Sequence, residues 1–313
     1  MIFVTGATGY LGRNLIKSLA QRGKSIRALV HSEGKINCVK EYCTDIIVGD
    51  INDEKIILQG LKDIEFVIHL AAVIKTSNVA LYDKVNVQGT ENLCKCCIKS
   101  NIKSIIYVSS GQAQENFNSH YGISKRKAEE IMKNSGLKWT IIRPVLIFGG
   151  DGDRDLTRLI QFVRKYSVVP ILGRGNSLIQ PIYITDVINA IYAMLEFNKN
   201  IIEHKIYELA GKDVITLTDF IILTSRLIGR YRFRLHIPIR FLQPLVFIYE
   251  RIVNTPLLDS NMLKSIEIDK IANIDLSVKE LGFNPISLIE GIRKTLSYHP
   301  SIQPNRLKSF TQQ

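Results

Sequence analysis

Close to the start of the chain stand eight residues, Thr5-Gly6-Ala7-Thr8-Gly9-Tyr10-Leu11-Gly12, with glycine at every third position. A short apolar run, Ile2–Thr5, precedes them. Leu11, Leu15, Ile16, Leu19 and Ala20 follow at helical spacing, and Gly23 ends the pattern. A strand that turns on glycines straight into a helix leaves the helix's first N–H groups open and its positive dipole end uncovered. One glycine permits the tight turn, one lets a pyrophosphate approach the backbone, and the third lets helix pack closely on strand. The turn therefore predicts a dinucleotide phosphate cradle built from Gly6, Thr8, Gly9, Tyr10, Leu11 and Gly12.

The alternation continues. Ser25–Val30, Asp45–Val48, Phe66–Leu70, Ser104–Ser109 and Trp139–Arg143 read as strands. Helices are expected at Glu54–Leu61, Val79–Ser100 and Tyr121–Asn134. Strands and helices at this rhythm predict an α/β fold, a Rossmann-type doubly wound parallel sheet. After Pro144 the rhythm breaks. Asp155–Tyr166 and Asp186–Phe197 look helical, Ser177–Ile184 and Lys205–Leu209 look like strand, and the chain from Leu217 is mostly helical. The expected division is a dinucleotide-binding domain at 1–150, with 185–211 returning to it. A smaller, mostly helical substrate-binding region takes 151–184 and 212–299, and 300–313 form a loosely held tail.

Composition narrows the class. Of 313 residues, 46% are hydrophobic and 22% charged, which excludes a disordered or collagen-like chain. No uncharged run approaches the roughly 20 residues of a spanning helix, and the chain opens on a strand candidate rather than a leader. The five cysteines at 38, 43, 94, 96 and 97 lack the paired spacing of a metal site, as do the histidines at 69, 120, 204, 236 and 299. No metal is expected, and a reducing, cytoplasmic setting is. The formal charge of +12 favours anionic partners. Between 226 and 251 six arginines, interleaved with aromatic and aliphatic residues, face one acid, Glu250. Such a stretch suits either a membrane-surface helix or a substrate-domain helix packed on the sheet. No nucleic-acid reading module accompanies it.

Two positions bear on the cofactor's second phosphate. No carboxylate stands at His31, at the end of the second strand, while Ser32 and Lys35 follow; this favours NADP over NAD. Asp50, beyond the third strand, is placed to face an adenine edge. For catalysis, Tyr121 and Lys125 lie four apart, on one face of a helix. A neighbouring ammonium lowers a phenol's pKa from about 10 and suits it to proton transfer. Ser109-Ser110 lies at the C-terminal end of the fifth strand, where doubly wound sheets bind ligands, and Ser110 offers a hydroxyl for a substrate carbonyl.

In these pieces the sequence resembles the extended branch of the short-chain dehydrogenase/reductase superfamily, which holds nucleotide-sugar epimerases, dehydratases and keto-reductases. Besides Thr5–Gly12, the matching segments are Gly49-Asp50-Ile51, His69-Leu70-Ala71-Ala72, Asn86–Thr90, Tyr107–Ser110, Tyr121–Lys125, Ile142-Arg143-Pro144, Gln180–Asp186 and Leu281–Pro285. The resemblance implies that Tyr121 is the general acid/base, that Lys125 tunes it and binds the nicotinamide ribose, and that Ser110 polarises the carbonyl. It adds Ile51, Leu70, Ala71, Ala72, Asn86 and Pro144 to the cofactor contacts, Asn86 also supporting a relay water. It implies a homodimer through helices 79–100 and 121–134. Two departures stand out. Ser110 and Tyr121 are closer in sequence than is usual, which shortens a substrate loop. Ile179 also stands where nucleotide-sugar enzymes place a diphosphate-binding arginine, with Arg154 or Arg174 as substitutes. The expected activity is NADP-preferring reduction of a keto group on a nucleotide sugar or related small molecule. The alternatives are an epimerase or dehydratase with tightly held NAD, or a non-catalytic assembly subunit similar to the accessory subunit of respiratory complex I.

Overall fold

The computed structural model describes residues 1–102, 104–152, 154–196, 203–253 and 260–298. The first half runs β1 (Ile2–Thr5), α1 (Tyr10–Gln21), β2 (Ile26–Val30), β3 (Asp45–Val48), α2 (Glu54–Gly60), β4 (Phe66–His69), α3 (Gly89–Lys99), β5 (Ser104–Val108), α4 (His120–Lys133) and β6 (Lys138–Pro144). The second runs β7 (Ile147–Phe148), α5 (Asp155–Lys165), β8 (Val168–Leu172), β9 (Leu178–Ile179), β10 (Ile182–Tyr183), α6 (Ile184–Glu196), β11 (Lys205–Leu209), β12 (Ile215–Thr216) and α7 (Leu217–Ile228). It ends with β13 (Phe233–Ile237), α8 (Ile239–Ile252), α9 (Ser260–Ile266), α10 (Asp275–Leu281) and α11 (Leu288–Tyr298).

Seven strands form one parallel sheet in the order β11-β6-β5-β4-β1-β2-β3. Both faces of the central strands are covered, so β1 and β4 read as continuous runs with little alternation, whereas the edge strand β11 carries Lys205 and Glu208. Neighbouring residues still point to opposite faces. Val4, Ile68, Ile106 and Ile142 pack beneath α1 and α6. Phe3, Val67, Ile105 and Ile141 pack beneath α2, α3 and α4. Cys94, Cys96 and Cys97 belong to this second layer as small apolar fillers, and burial pushes the Cys94 thiol up to about 12. All five cysteines are free thiols.

The strand order reverses between β1 and β4, which opens a crevice at their C-terminal ends. Two sequence expectations change shape. The helix expected at 79–100 enters through a wider π-helical stretch, Tyr82–Gln88, before α3. There Asn86 turns its amide to the backbone of Val73, and such bulges accommodate the diverted side chain. The single strand expected over Ser177–Ile184 is split into β9 and β10. Pro181 has no N–H to donate to a ladder, and Gln180 between them bridges two other segments. The chain outside the main sheet gathers its own core, in which Phe148, Ile160, Ile179, Phe220, Leu288 and Ile292 are fully buried. The expected tail at 300–313 lies outside the described residues. Among the described residues no helix is long and apolar enough to cross a membrane.

Candidate active site

The crevice begins at the glycine turn. Gly6 has a φ of 69°, and a Cβ there would stand 2.5 Å from the backbone of Leu70 and Ala71. Gly9 caps α1 with no side-chain hydrogen bond, and no acidic residue occupies the first turn. A Cβ on Gly12 would collide with the carbonyl oxygens of Gly6 and Ala7, its own loop. This backbone cradle, with an uncapped helix end aimed into it, fits a dinucleotide pyrophosphate.

Around it, Leu70 N and Ala71 N donate to Thr5, and Ala72 continues the same turn. His69 is fully buried between Thr5 Oγ1 and Thr90 Oγ1, at 2.7 and 2.9 Å, and burial drives its pKa down to about 3, so it is a neutral strut. Asn86 spends its whole amide on protein. Oδ1 accepts from Val73 N, and Nδ2 donates to Val73 O and Ser124 Oγ. It thus fixes the 70–73 turn against α4. Ile51 is buried against Gly89, and its carbonyl accepts from Asn92. Pro144 ends β6 opposite Leu209. His31 is exposed, 3.9 Å from the Asp50 carboxylate, so the two residues picked out at the ends of β2 and β3 are neighbours.

The catalytic candidates converge on the start of α4. Ser119 caps it, its Oγ accepting from Gly122 N and donating to Gln112 Oε1. A Cβ on Gly122 would strike the carbonyl of Gln112, so glycine inside Tyr121–Lys125 lets α4 seat on the 111–113 turn. That contact brings the Ser110 hydroxyl close enough to the Tyr121 phenol to lower its pKa. Ser109 points the other way. Its hydroxyl donates to Glu129 Oε1 at 2.5 Å, and Arg143 grips the same buried carboxylate with two bonds of 2.9 and 2.6 Å. Lys125 is 1% exposed. Its ammonium donates to Val108 O at 2.8 Å and lies 4.2 Å over the Tyr107 ring. Burial pushes its pKa down to about 7, and Glu129 opposes the drop.

The electrostatics differ from the sequence expectation in one respect. Burial holds the Tyr121 phenol above its ordinary value. The cation that pulls it down is Arg154, assisted by the nearby Ser110 hydroxyl, rather than Lys125. Arg154 also lies 5.7 Å over the Tyr10 ring. It therefore stands between the phosphate turn and the phenol, whereas Arg174 is exposed between two left-handed glycines. Ile179 is buried in β9.

Other participants were not singled out in the sequence. Glu129 follows Lys125 by one helical turn, and that spacing was a usable signal. Arg13, directly after Gly12, has a buried Nε that finds no hydrogen-bond partner among the described residues. Tyr82 lies near both His120 and Tyr121, at ring distances of 6.4 and 6.5 Å. A cleft beside Ser110 is walled by Phe117, Val145, Leu146, Lys270 and Ile271, the Lys270 ammonium donating to the carbonyls of Ser265 and Ile268. Gln180 holds that last wall in place, accepting from Ala272 N and donating to Gly211 O.

A doubly wound sheet with a glycine turn at its switch point defines a dinucleotide-binding class. The chain belongs to the NAD dependent epimerase/dehydratase family, whose sequence pattern matches residues 2–210. A ceramide reductase from Caulobacter vibrioides (strain NA1000 / CB15N) is 30% identical over 186 residues, 59% of this chain and 58% of that protein. Subunit 9 of the mitochondrial NADH dehydrogenase (ubiquinone) 1 alpha subcomplex from Dictyostelium discoideum is 28% identical over 242 residues, 75% of this chain and 66% of that protein. The chain thus spans between about half and two thirds of the length of these curated relatives. Among solved structures, UDP-glucuronic acid 4-epimerase from Bacillus cereus, in complex with UDP-glucuronic acid and NAD, superposes with a TM-score of 0.75. That match has 22% identity and covers 95% of this chain and 98% of the other, a likeness of fold.

Proposed function

We propose that the protein is an NAD(P)H-dependent reductase of a carbonyl group, acting on a nucleotide sugar or related small molecule. The observation that carries this reading is the approach of the Ser110 hydroxyl, on the wall of the cleft, to the Tyr121 phenol at the start of α4. The backbone N–H groups of Thr8, Tyr10, Leu11 and Gly12 would hold the pyrophosphate, and the nicotinamide, when bound, supplies the hydride. Ser110 donates to the substrate oxygen and fixes it within reach of the phenol. Tyr121 gives its proton to that oxygen as the carbonyl becomes an alcohol. Arg154 stabilises the phenolate left behind. Arg154 suits an anionic substrate portion such as a diphosphate.

The absence of a carboxylate at position 31, with Lys35 near and Arg13 behind the turn, favours NADPH; Asp50 beside His31 pulls toward NADH. Five free thiols suit a reducing compartment such as the cytoplasm. The test is a fluorescence titration with NADPH and NADH side by side, followed by turnover with a panel of keto-sugar nucleotides. Tight NADPH binding with turnover supports the reading. NAD retained on purification moves the epimerase or dehydratase to first place. A second reading has its own observation, since the complex I subunit aligns with more of this chain than the reductase does. Cofactor binding together with a Tyr121→Phe variant that behaves as wild type in cells would favour it.

A further inference from the structure

We infer that α8 and the outer face of the β8–β13 pair dock the protein on an anionic lipid bilayer. The inference stands apart from the reductase reading. A helix on a water-soluble domain turns its apolar stripe inward. Here Val246 does so and is buried. Phe241, Leu245, Ile248 and Ile252 form a second stripe at i, i+4, i+7 and i+11, and they are 59, 64, 56 and 76% exposed. The strand pair repeats the arrangement. Val169 and Ile171 face the core, while Val168 and Pro170 face outward beside their partners Phe233 and Leu235, all exposed. One residue, Pro238, joins β13 to α8. Two adjoining elements thus both present apolar outer faces, larger than scattered surface leucines.

Charge identifies the occupant. Arg226, Arg230 and Arg240 are exposed, and Glu250 is the one acid between 226 and 251. Arg240 lies 4.9 Å over the Phe241 ring and Arg234 5.9 Å over that of Tyr231. Arg232 turns inward onto the carbonyls of Val163 and Arg164 and belongs to the fold. Rings and aliphatic side chains beside arginines match the boundary of acyl chains and phosphate headgroups. A second copy of the chain would set arginine against arginine. With no membrane-crossing helix among the described residues, the contact is one of lying on the surface.

The test is co-sedimentation with vesicles of phosphatidylcholine containing about one-third phosphatidylglycerol. Binding is expected at low salt, with release at about 0.5 M salt and none on pure phosphatidylcholine. The double variant Leu245→Asp/Ile248→Asp should lose at least about tenfold in partitioning, and Arg230→Gln and Arg240→Gln about fivefold each. Hydrogen exchange on the wild-type protein, needing no variant, should show vesicle protection confined to 231–252. No binding at low salt, binding indifferent to the aspartates, or protection elsewhere would each overturn the inference. So would a dimer in light scattering that the aspartates convert to monomer, because the face then belongs to a second copy.

Discussion

Glu129 organises the buried charges around the candidate site without lining the cleft. It is wholly buried, takes two bonds from Arg143 and one from Ser109, and supplies the negative charge that opposes the loss of Lys125's proton. Lys125 has a folded pKa of about 7, well below its unfolded value, so its ammonium is lost as pH rises through neutrality. If that charge supports proton delivery by Tyr121, kcat falls on the alkaline side of about 7. Glu129→Gln should shift this limb to lower pH, because the group that opposed the drop is gone. It should also destabilise the fold by about 3 kcal/mol, since Arg143 loses its buried partner. A pH profile that stays put, measured beside a denaturant midpoint, would disconnect Glu129 from Lys125. Tyr121→Phe removes the proposed proton donor and little else. It should reduce turnover by about a thousandfold or more with NAD(P)H affinity within about twofold, read by steady-state kinetics and titration. The Tyr121–Lys125 pair was legible because four residues make one helical turn. Arg154 was not legible as the phenol's cation, because it is delivered by a loop with left-handed glycines at 149, 150 and 152 whose path depends on distant contacts. Chief among them are Tyr10 Oη to Gly149 O and Asn14 to Asp151.

At the scale of elements, the seven long parallel strands were readable from the sequence because burial on both faces leaves a continuous apolar run. Of the two-residue strands, β9 and β10 were read as one strand and β7 and β12 not at all. Two residues carry no period, and their pairing is imposed from far away, as when Asp269 Oδ1 accepts from Leu178 N. The π-helical entry to α3 was equally hidden, because Asn86 acts through a segment thirteen residues earlier. Asn86→Ala should leave Val73 N and O and Ser124 Oγ without this partner. The expected cost is about 2–4 kcal/mol, with faster hydrogen exchange across 70–78 and α4 still formed. Unchanged exchange in that segment would show that another contact holds the turn.

For the whole molecule, the seam between the main sheet and the C-terminal helices runs through Asp186 on α6, whose Oδ2 accepts from Ile286 N ahead of α11. Burial raises this carboxyl to about 6, with Lys294 opposing. A raised acid pKa means the folded state holds the proton more tightly, so stability from this group is present at pH 4 and lost as pH rises through 6. Asp186→Asn should therefore gain about 1 kcal/mol at pH 7 and nothing at pH 4, the gain reduced from its ideal value by solvent near the seam. Thermal midpoints of both proteins across that range measure it; parallel curves would remove Asp186 from the account. The glycines, finally, divide into two genetic kinds. Gly60 and Gly89 are crowded by the side chains of Phe3 and Ile51, so a larger residue there can be rescued by trimming the neighbour. Gly12 is crowded by the backbone of its own turn. A suppressor screen begun from Gly89→Ala should recover changes at Ile51, whereas one begun from Gly12→Ala should return almost only true revertants.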